Sequence, residues 1–401
     1  MTRPGQTPHT TVLIIPTGIG AAMGGYAGDA LPIARTLASV TDRLITHPNV
    51  LNGAQLYWPL SNAYYVEGYG LDQFAAGRWA LQPVHQNSIG LVIDQGVEND
   101  LRWRHLQAAD AARATLGLDI KAHIVTDMPL EISLKTTGSG ASWGTLANPG
   151  SLLRATERLI AEAKVRAIAV VARFPEDEGS EQLAAYRQGQ GVDPLAGAEA
   201  VISHLVVRTF KIPCAHAPAL SPLPLDPKIS ARSAAEEIGY TFLSCVLAGL
   251  SRAPQFVDRQ AKDQANDQAN DQANDRSVED LDTDLGRDFN CIEASAVDAV
   301  VVPQTAFGGS AVMSLAQRAT QVIAVRENTT AMAVTPADLG IQAITVNTYL
   351  EAVGAIAAYK AGVAHSALLP HIPPIPQIST CPPLPDLRSS MPAPASGFAS
   401  G

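Results

Sequence analysis

Short apolar runs punctuate the chain, most of them followed by a polar turn and then by a stretch in which apolar residues recur every three or four positions. The runs at 11–15, 89–93, 122–125, 167–171, 298–302, 321–325 and 343–346 are rich in Val, Ile and Ala, the pattern of strands buried on both faces. Ile33, Leu37, Val40 and Leu44 share one helical stripe, and helices are expected at 101–116, 151–163, 310–318 and 347–360. From 180 to 208 the pattern is helical with a break at Gly189-Gln190-Gly191, and a second helix starts after Asp193-Pro194. A run at 230–250 is apolar on most faces and predicts a buried helix. Strands alternating with helices predict an α/β fold, doubly wound, with a mainly parallel sheet and helices on both faces.

Several stretches depart from this pattern. Residues 46–74 mix Asn and Gly with Tyr57, Trp58, Tyr64, Tyr65 and Tyr69 and read as ordered loop, a pocket wall or a subunit interface, so a homo-oligomer is one expectation. The segment 135–150 carries Gly138, Gly140 and Gly144 and reads as a mobile lid or a connector. Prolines at 213, 218, 222, 224 and 227 punctuate a stretch unable to continue a helix or a central strand. They mark 211–229 as a connection between a first α/β half at 10–210 and a second at 230–368. Asp263-Gln264-Ala265-Asn266 recurs at 267–270 and 271–274; with no apolar face it predicts a disordered acidic insertion at 258–288. The nine prolines of 370–401 predict a disordered tail from 369.

Composition narrows the class. A chain of 401 residues, 46% hydrophobic, can bury one large domain or two. Cysteines at 214, 245, 291 and 381 form no CxxC, so neither a disulfide framework nor a zinc knuckle is indicated, and Cys214-Ala215-His216 alone is a poor metal signal. No run of about 20 apolar residues occurs and the first nine residues lack an apolar core, so the expectation is a cytoplasmic protein without a membrane role. A net charge of −10 argues against a nucleic-acid surface.

Candidate chemistry gathers in two glycine loops that follow strands. The first contains Gly18, Gly20, Gly24 and Gly25 and ends at Asp29. It lacks the third glycine of a dinucleotide fingerprint and the Lys-Ser/Thr of a phosphate loop, so an NAD or ATP site is not indicated. Asp29 reads as the N-cap of the next helix or as a group facing a hydroxyl, an ammonium or Mg²⁺. The second loop runs through Gln304, Thr305, Gly308 and Gly309 to Ser310, a good N-cap, with no acid at its helix start; its amides are the better place for a carboxylate or phosphate. Asp94, Arg326, Glu327 and Asn328 also follow predicted strands, where open α/β sheets bind ligands. In the Thr46-His47-Pro48-Asn49 segment, His47 and Asn49 are placed with the binding residues, although a histidine there is more often a capping or packing group.

The segments 16–30, 46–54, 303–311 and 325–330 resemble a cyanobacterial and plastid family catalogued as a domain of unknown function, over roughly residues 10–368. The resemblance implies a cyanobacterial cytoplasmic protein and no particular activity. Three classes of function therefore stand. One is an enzyme binding a small anionic metabolite, with Asp29, Asp94 or Glu327 as general base or Mg²⁺ ligand and Arg326 as counter-charge. The others are a non-catalytic sensor using the same pocket and a structural or assembly protein.

Overall fold

The computed structural model describes residues 7–52, 58–175, 180–221, 223–237, 243–259, 291–372 and 374–375. The four-residue repeat, nearly all of the proline-rich tail, Tyr57 and Gly53-Ala54 lie outside the described residues. The fold is α/β, built on two parallel sheets. The larger sheet has six strands in the order β14 (Ile344–Val346), β13 (Gln321–Val325), β12 (Ala299–Pro303), β1 (Thr10–Leu13), β2 (Arg43–Thr46) and β3 (Ala63–Tyr65). The smaller has β10 (Cys214–Ala219), β9 (Ala167–Arg173), β5 (Ile89–Ile93) and β6 (Ile120–Val125). Every pairing in both is parallel. Two antiparallel pairs complete the set, β4 (Trp79–Gln82) with β11 (Gln255–Asp258), and the hairpin β7 (Ile132–Thr136)–β8 (Ser142–Leu146).

The alternation of side chains explains why the strands read as continuous apolar runs. In the larger sheet Leu13, Leu44, Val301 and Ile323 face one core while Val12, Ile45, Val300 and Ala324 face another. In the smaller, Leu91, Ala169 and Ala217 join the first core, and Val92, Val170 and Cys214 face a third. One core thus runs through both sheets, reinforced by Leu243, Val246, Leu247 and Leu250 of the helix Leu243–Leu250.

Local rules set the helix ends. The helix Asn99–Leu116 stops at Gly117, whose φ of +68° is the left-handed conformation that glycine tolerates. The helix Tyr349–Lys360 starts at Thr348, whose hydroxyl accepts the Glu351 amide, while Glu351 reaches back to the Asn347 amide.

Several expectations need correction. Leu44 belongs to β2 and not to the stripe of the helix Leu31–Ala38. The described part of the aromatic segment holds the short helix Pro48–Leu51, β3 and the helix Gly68–Ala75, so it is largely regular. The glycine-rich 135–150 segment is mostly β-hairpin, held to the first loop where the Ser142 amide donates to the Gly18 carbonyl. The proline stretch contains β10 with Pro218 inside it. That is tolerated because β10 is an edge strand, paired among the described residues with β9 alone. Each sheet also draws on its own part of the chain, the larger on the two ends and the smaller on the middle, so the boundary at 211–229 does not separate them.

Candidate functional site

The first glycine loop closes on itself after β1. Gly18, Gly20, Gly24 and Gly28 have φ of +70°, +61°, +91° and +83°, backbone that glycine adopts without penalty. A Cβ on Gly24 would lie 2.6 Å from Ile15, and one on Gly25 2.3 Å from the Ala21 carbonyl oxygen. Four of its amides are engaged within the protein. Ala22 N–H donates to the Thr329 carbonyl, Met23 N–H to Asn328 Oδ1, Gly24 N–H to Asp29 Oδ1 and Gly28 N–H to the Asn49 carbonyl.

Asp29 is not the helix cap expected of it. The helix begins after Ala30 with no side-chain cap; Asp29 instead ties down the Gly24 amide through one oxygen and takes Arg232 Nη1 at 2.8 Å on the other. Burial raises its pKa against both of those partners. His47 Nε2 accepts the Ile15 amide at 3.1 Å, and burial pushes its pKa down to about 4, so the ring is neutral with its proton on Nδ1. Asn49 Nδ2 donates to the Gly24 carbonyl. Asn328, buried, accepts from Met23 N–H and donates to the Met23 carbonyl and to Tyr349 Oη.

The second loop is different. Gly308, Gly309 and Ser310 are exposed, and the helix Ser310–Ala316 is preceded by Gly309, with Ser310 its first residue and not its cap. An acid does stand at this helix start: Asp72 Oδ1 accepts the Ala311 amide at 2.9 Å from the neighbouring helix Gly68–Ala75. The sequence hid it because Asp72 lies more than two hundred residues away. The two loops share one rim, since β1 and β12 are adjacent and parallel. The strip between them is filled: Ala331 N–H donates to the Ile19 carbonyl, and the Thr305 and Thr330 hydroxyls meet at 2.8 Å. Gln304 N–H donates to the Val325 carbonyl. Exposed Arg326 reaches Asn347 Oδ1 at 3.3 Å, and Glu327 Oε1 accepts the Tyr349 amide at 2.7 Å.

Asp94 lies on the rim of the smaller sheet, buried, accepting the Gly96, Leu130 and Arg173 amides. It holds three chain segments together and does not join Asp29 and Glu327, which both stand within electrostatic range of Tyr349. Among the described residues no three His, Cys, Asp or Glu side chains are placed to hold one metal ion.

A group that the sequence reading missed assembles where the first loop meets the segment 180–237. The Tyr26 and Tyr186 rings stack at 4.4 Å. Tyr186 Oη lies 2.6 Å from Glu236 Oε2 and 3.2 Å from the Gly25 carbonyl, and its own carbonyl accepts Tyr26 Oη and Ser233 Oγ. Three more carboxyls stand within electrostatic range: Glu199 and Asp29 bear on Glu236, and Glu236 and Glu199 on Asp193. Glu236 is half-buried with its carboxyl turned inward, and burial, with repulsion from Glu199, pushes its pKa to about 7. Burial, then repulsion from Glu236 and Glu199, drives Asp193 well above the ordinary range. Glu199 is in turn 3.6 Å from His216 Nε2, and His216 Nδ1 is 3.2 Å from Ser203 Oγ. Two signals pointed this way in the sequence: an acid within the apolar 230–250 run, and Asp193 at the break between two helices.

A family described as “Protein of unknown function (DUF3326)” matches residues 10–369. An uncharacterized lipoprotein of Synechococcus sp. is 56% identical over 361 residues, covering 90% of this chain and 93% of the relative. No solved structure matches. No described helix is long and apolar enough to cross a membrane. The relative's description as a lipoprotein overturns the expectation of a cytoplasmic protein, drawn from the missing apolar segments and from the family resemblance. The chain belongs to the DUF3326 family.

Proposed function

We propose that the protein is an enzyme that performs acid–base chemistry on a small polar metabolite at the seam between the first glycine loop and the 180–237 segment. Glu236 is the proton-exchanging group, Asp193 holds a proton beside it, and Tyr186 orients the Glu236 carboxyl. The observation that carries this reading is the inward-turned Glu236 carboxyl held by Tyr186 of the Tyr26–Tyr186 stack, with Asp193, Glu199 and Asp29 in electrostatic range and Arg232 on Asp29. Burying like charges together costs free energy that ordinary packing does not require, and sites built this way keep a carboxyl near neutral pKa for proton transfer.

The same carboxyls repel anions. We therefore assign the seam to a hydroxylated or amino-bearing metabolite in preference to the carboxylated or phosphorylated one that the glycine loops suggested. The test is a calorimetric screen of polyols, amines, carboxylates and phosphates against the wild type and Glu236→Gln. A polyol or amine that binds the wild type about tenfold or more tighter than the variant, a difference of roughly 1.4 kcal/mol, supports the reading. Anionic ligands that bind both proteins equally contradict it. A neutral ligand bound but never converted points to a sensor.

A further inference from the structure

We propose that Glu67 and His204 form a one-proton latch that joins the helix Gly68–Ala75 of the larger sheet to the helix Ala196–Phe210 of the smaller, closed while the pair holds its shared proton and opened when that proton is lost. Glu67 caps the first of these helices, its Oε2 accepting the Tyr69 and Gly70 amides at 2.8 and 3.2 Å. Its Oε1 is 3.4 Å from His204 Nε2, with the Glu67 side chain 4% exposed and that of His204 39% exposed. The helices approach closely there, since a Cβ on Gly68 would lie 3.1 Å from the same Nε2.

The ring's other nitrogen decides the chemistry. The Ala200 carbonyl, one helical turn back, bears on His204, and since a carbonyl only accepts, it favours the tautomer with the proton on Nδ1. Nε2 of the neutral ring is then an acceptor facing a carboxyl oxygen. The two attract only if one proton lies between them, on the acid or on the ring; without it, two acceptors confront each other across a buried gap.

The surrounding groups set the pH at which this happens. Asp72 on the Glu67 helix, and the Cys214 thiol on β10, lie near the carboxyl; His216 on β10 faces His204, and Tyr69 presents its ring edge. None of them supplies a fixed positive charge. Burial pushes Glu67 up to about 8 and lowers His204, so the neutral acid paired with a neutral ring is the closed state at neutral pH. Above about pH 8 the carboxylate faces the lone pair, and the two helices lose their polar tie.

Nitrogen-15 NMR of the histidine rings in the intact protein tests this directly. The expected result is a shift of His204 Nε2 between pH 7 and 9, toward the value of a free lone pair, that disappears in Glu67→Gln, with protection of the Tyr69 and Gly70 amides falling over the same range. A His204 ring that takes up its second proton near pH 6.5 and stays unchanged from 7 to 9 overturns the latch. So does a 7–9 shift that persists in Glu67→Gln. Where that variant fails to fold, the wild-type titration alone decides.

Discussion

The two glycine loops look alike in sequence and differ in almost every physical respect. Both follow central strands of the same sheet, and both precede helices. The first is packed so tightly that a methyl group on Gly18, Gly20, Gly24 or Gly25 would lie within 3 Å of a neighbouring atom, and Asn49, Asn328 and Asp29 tie it down. The second stands in solvent, with nothing within 4 Å of where a Gly309 Cβ would lie. Glycine in the first loop is there for close packing and left-handed backbone, whereas Gly309 has no such steric need. A glycine-rich loop after a strand is therefore no anion cradle by composition alone; what matters is whether its amides remain available.

This contrast orders the stability predictions. Gly25→Ala, which drives a methyl group into the Ala21 carbonyl, should cost about 3 kcal/mol in urea denaturation. A loss under about 1 kcal/mol would mean the loop is slack. Asn328→Ala strands the Met23 amide and carbonyl and the Tyr349 hydroxyl, and should cost about 2 kcal/mol. Asp72→Ala removes the carboxylate that holds the Ala311 amide and should cost about 1 kcal/mol. Gly309→Ala should change stability by less than about 0.5 kcal/mol; a larger loss would erase the distinction between the loops.

The pH dependence of stability sharpens it further. His47, depressed to about 4 by burial beside the first loop, contributes stability that is present above about 6.5 and lost as pH falls through about 4. Glu67 and Glu236 are raised, so their contributions are complete below about 4.5 and fade as pH rises through about 8 and about 7. Stability should thus fall on both flanks of a maximum on the acid side of neutrality, with His47→Gln easing the acid limb and Glu67→Gln easing the alkaline one.

The fold was legible wherever a strand is buried on both faces. Ile89–Ile93 and Gln321–Val325 have the boundaries that their apolar runs indicate. Strands β2 and β3 were hidden, the one because Leu44 fell on a helical stripe, the other because Ala63–Tyr65 is three residues set among polar ones. The hairpin β7–β8 was hidden by its Gly and Ser content, and β10 by its proline. Within the candidate site, Asp29 was visible as the only acid in a glycine loop. Asp193 and Glu236 stood out only by their settings, a helix break and an apolar run, and Glu199 looked like an ordinary helix-surface acid, because only the approach of the 180–237 segment to a loop some 160 residues earlier brings them together. Long-range encounters of that kind leave no periodicity to read.

The central claim is that the seam keeps a carboxyl poised near neutrality. Carbon-13 NMR titration of the Glu side-chain carboxyls measures this most directly. The account predicts a resonance that titrates near pH 7 and vanishes in Glu236→Gln. A Glu236 carboxyl that titrates below about pH 5, in the ordinary range for an exposed glutamate, would contradict it.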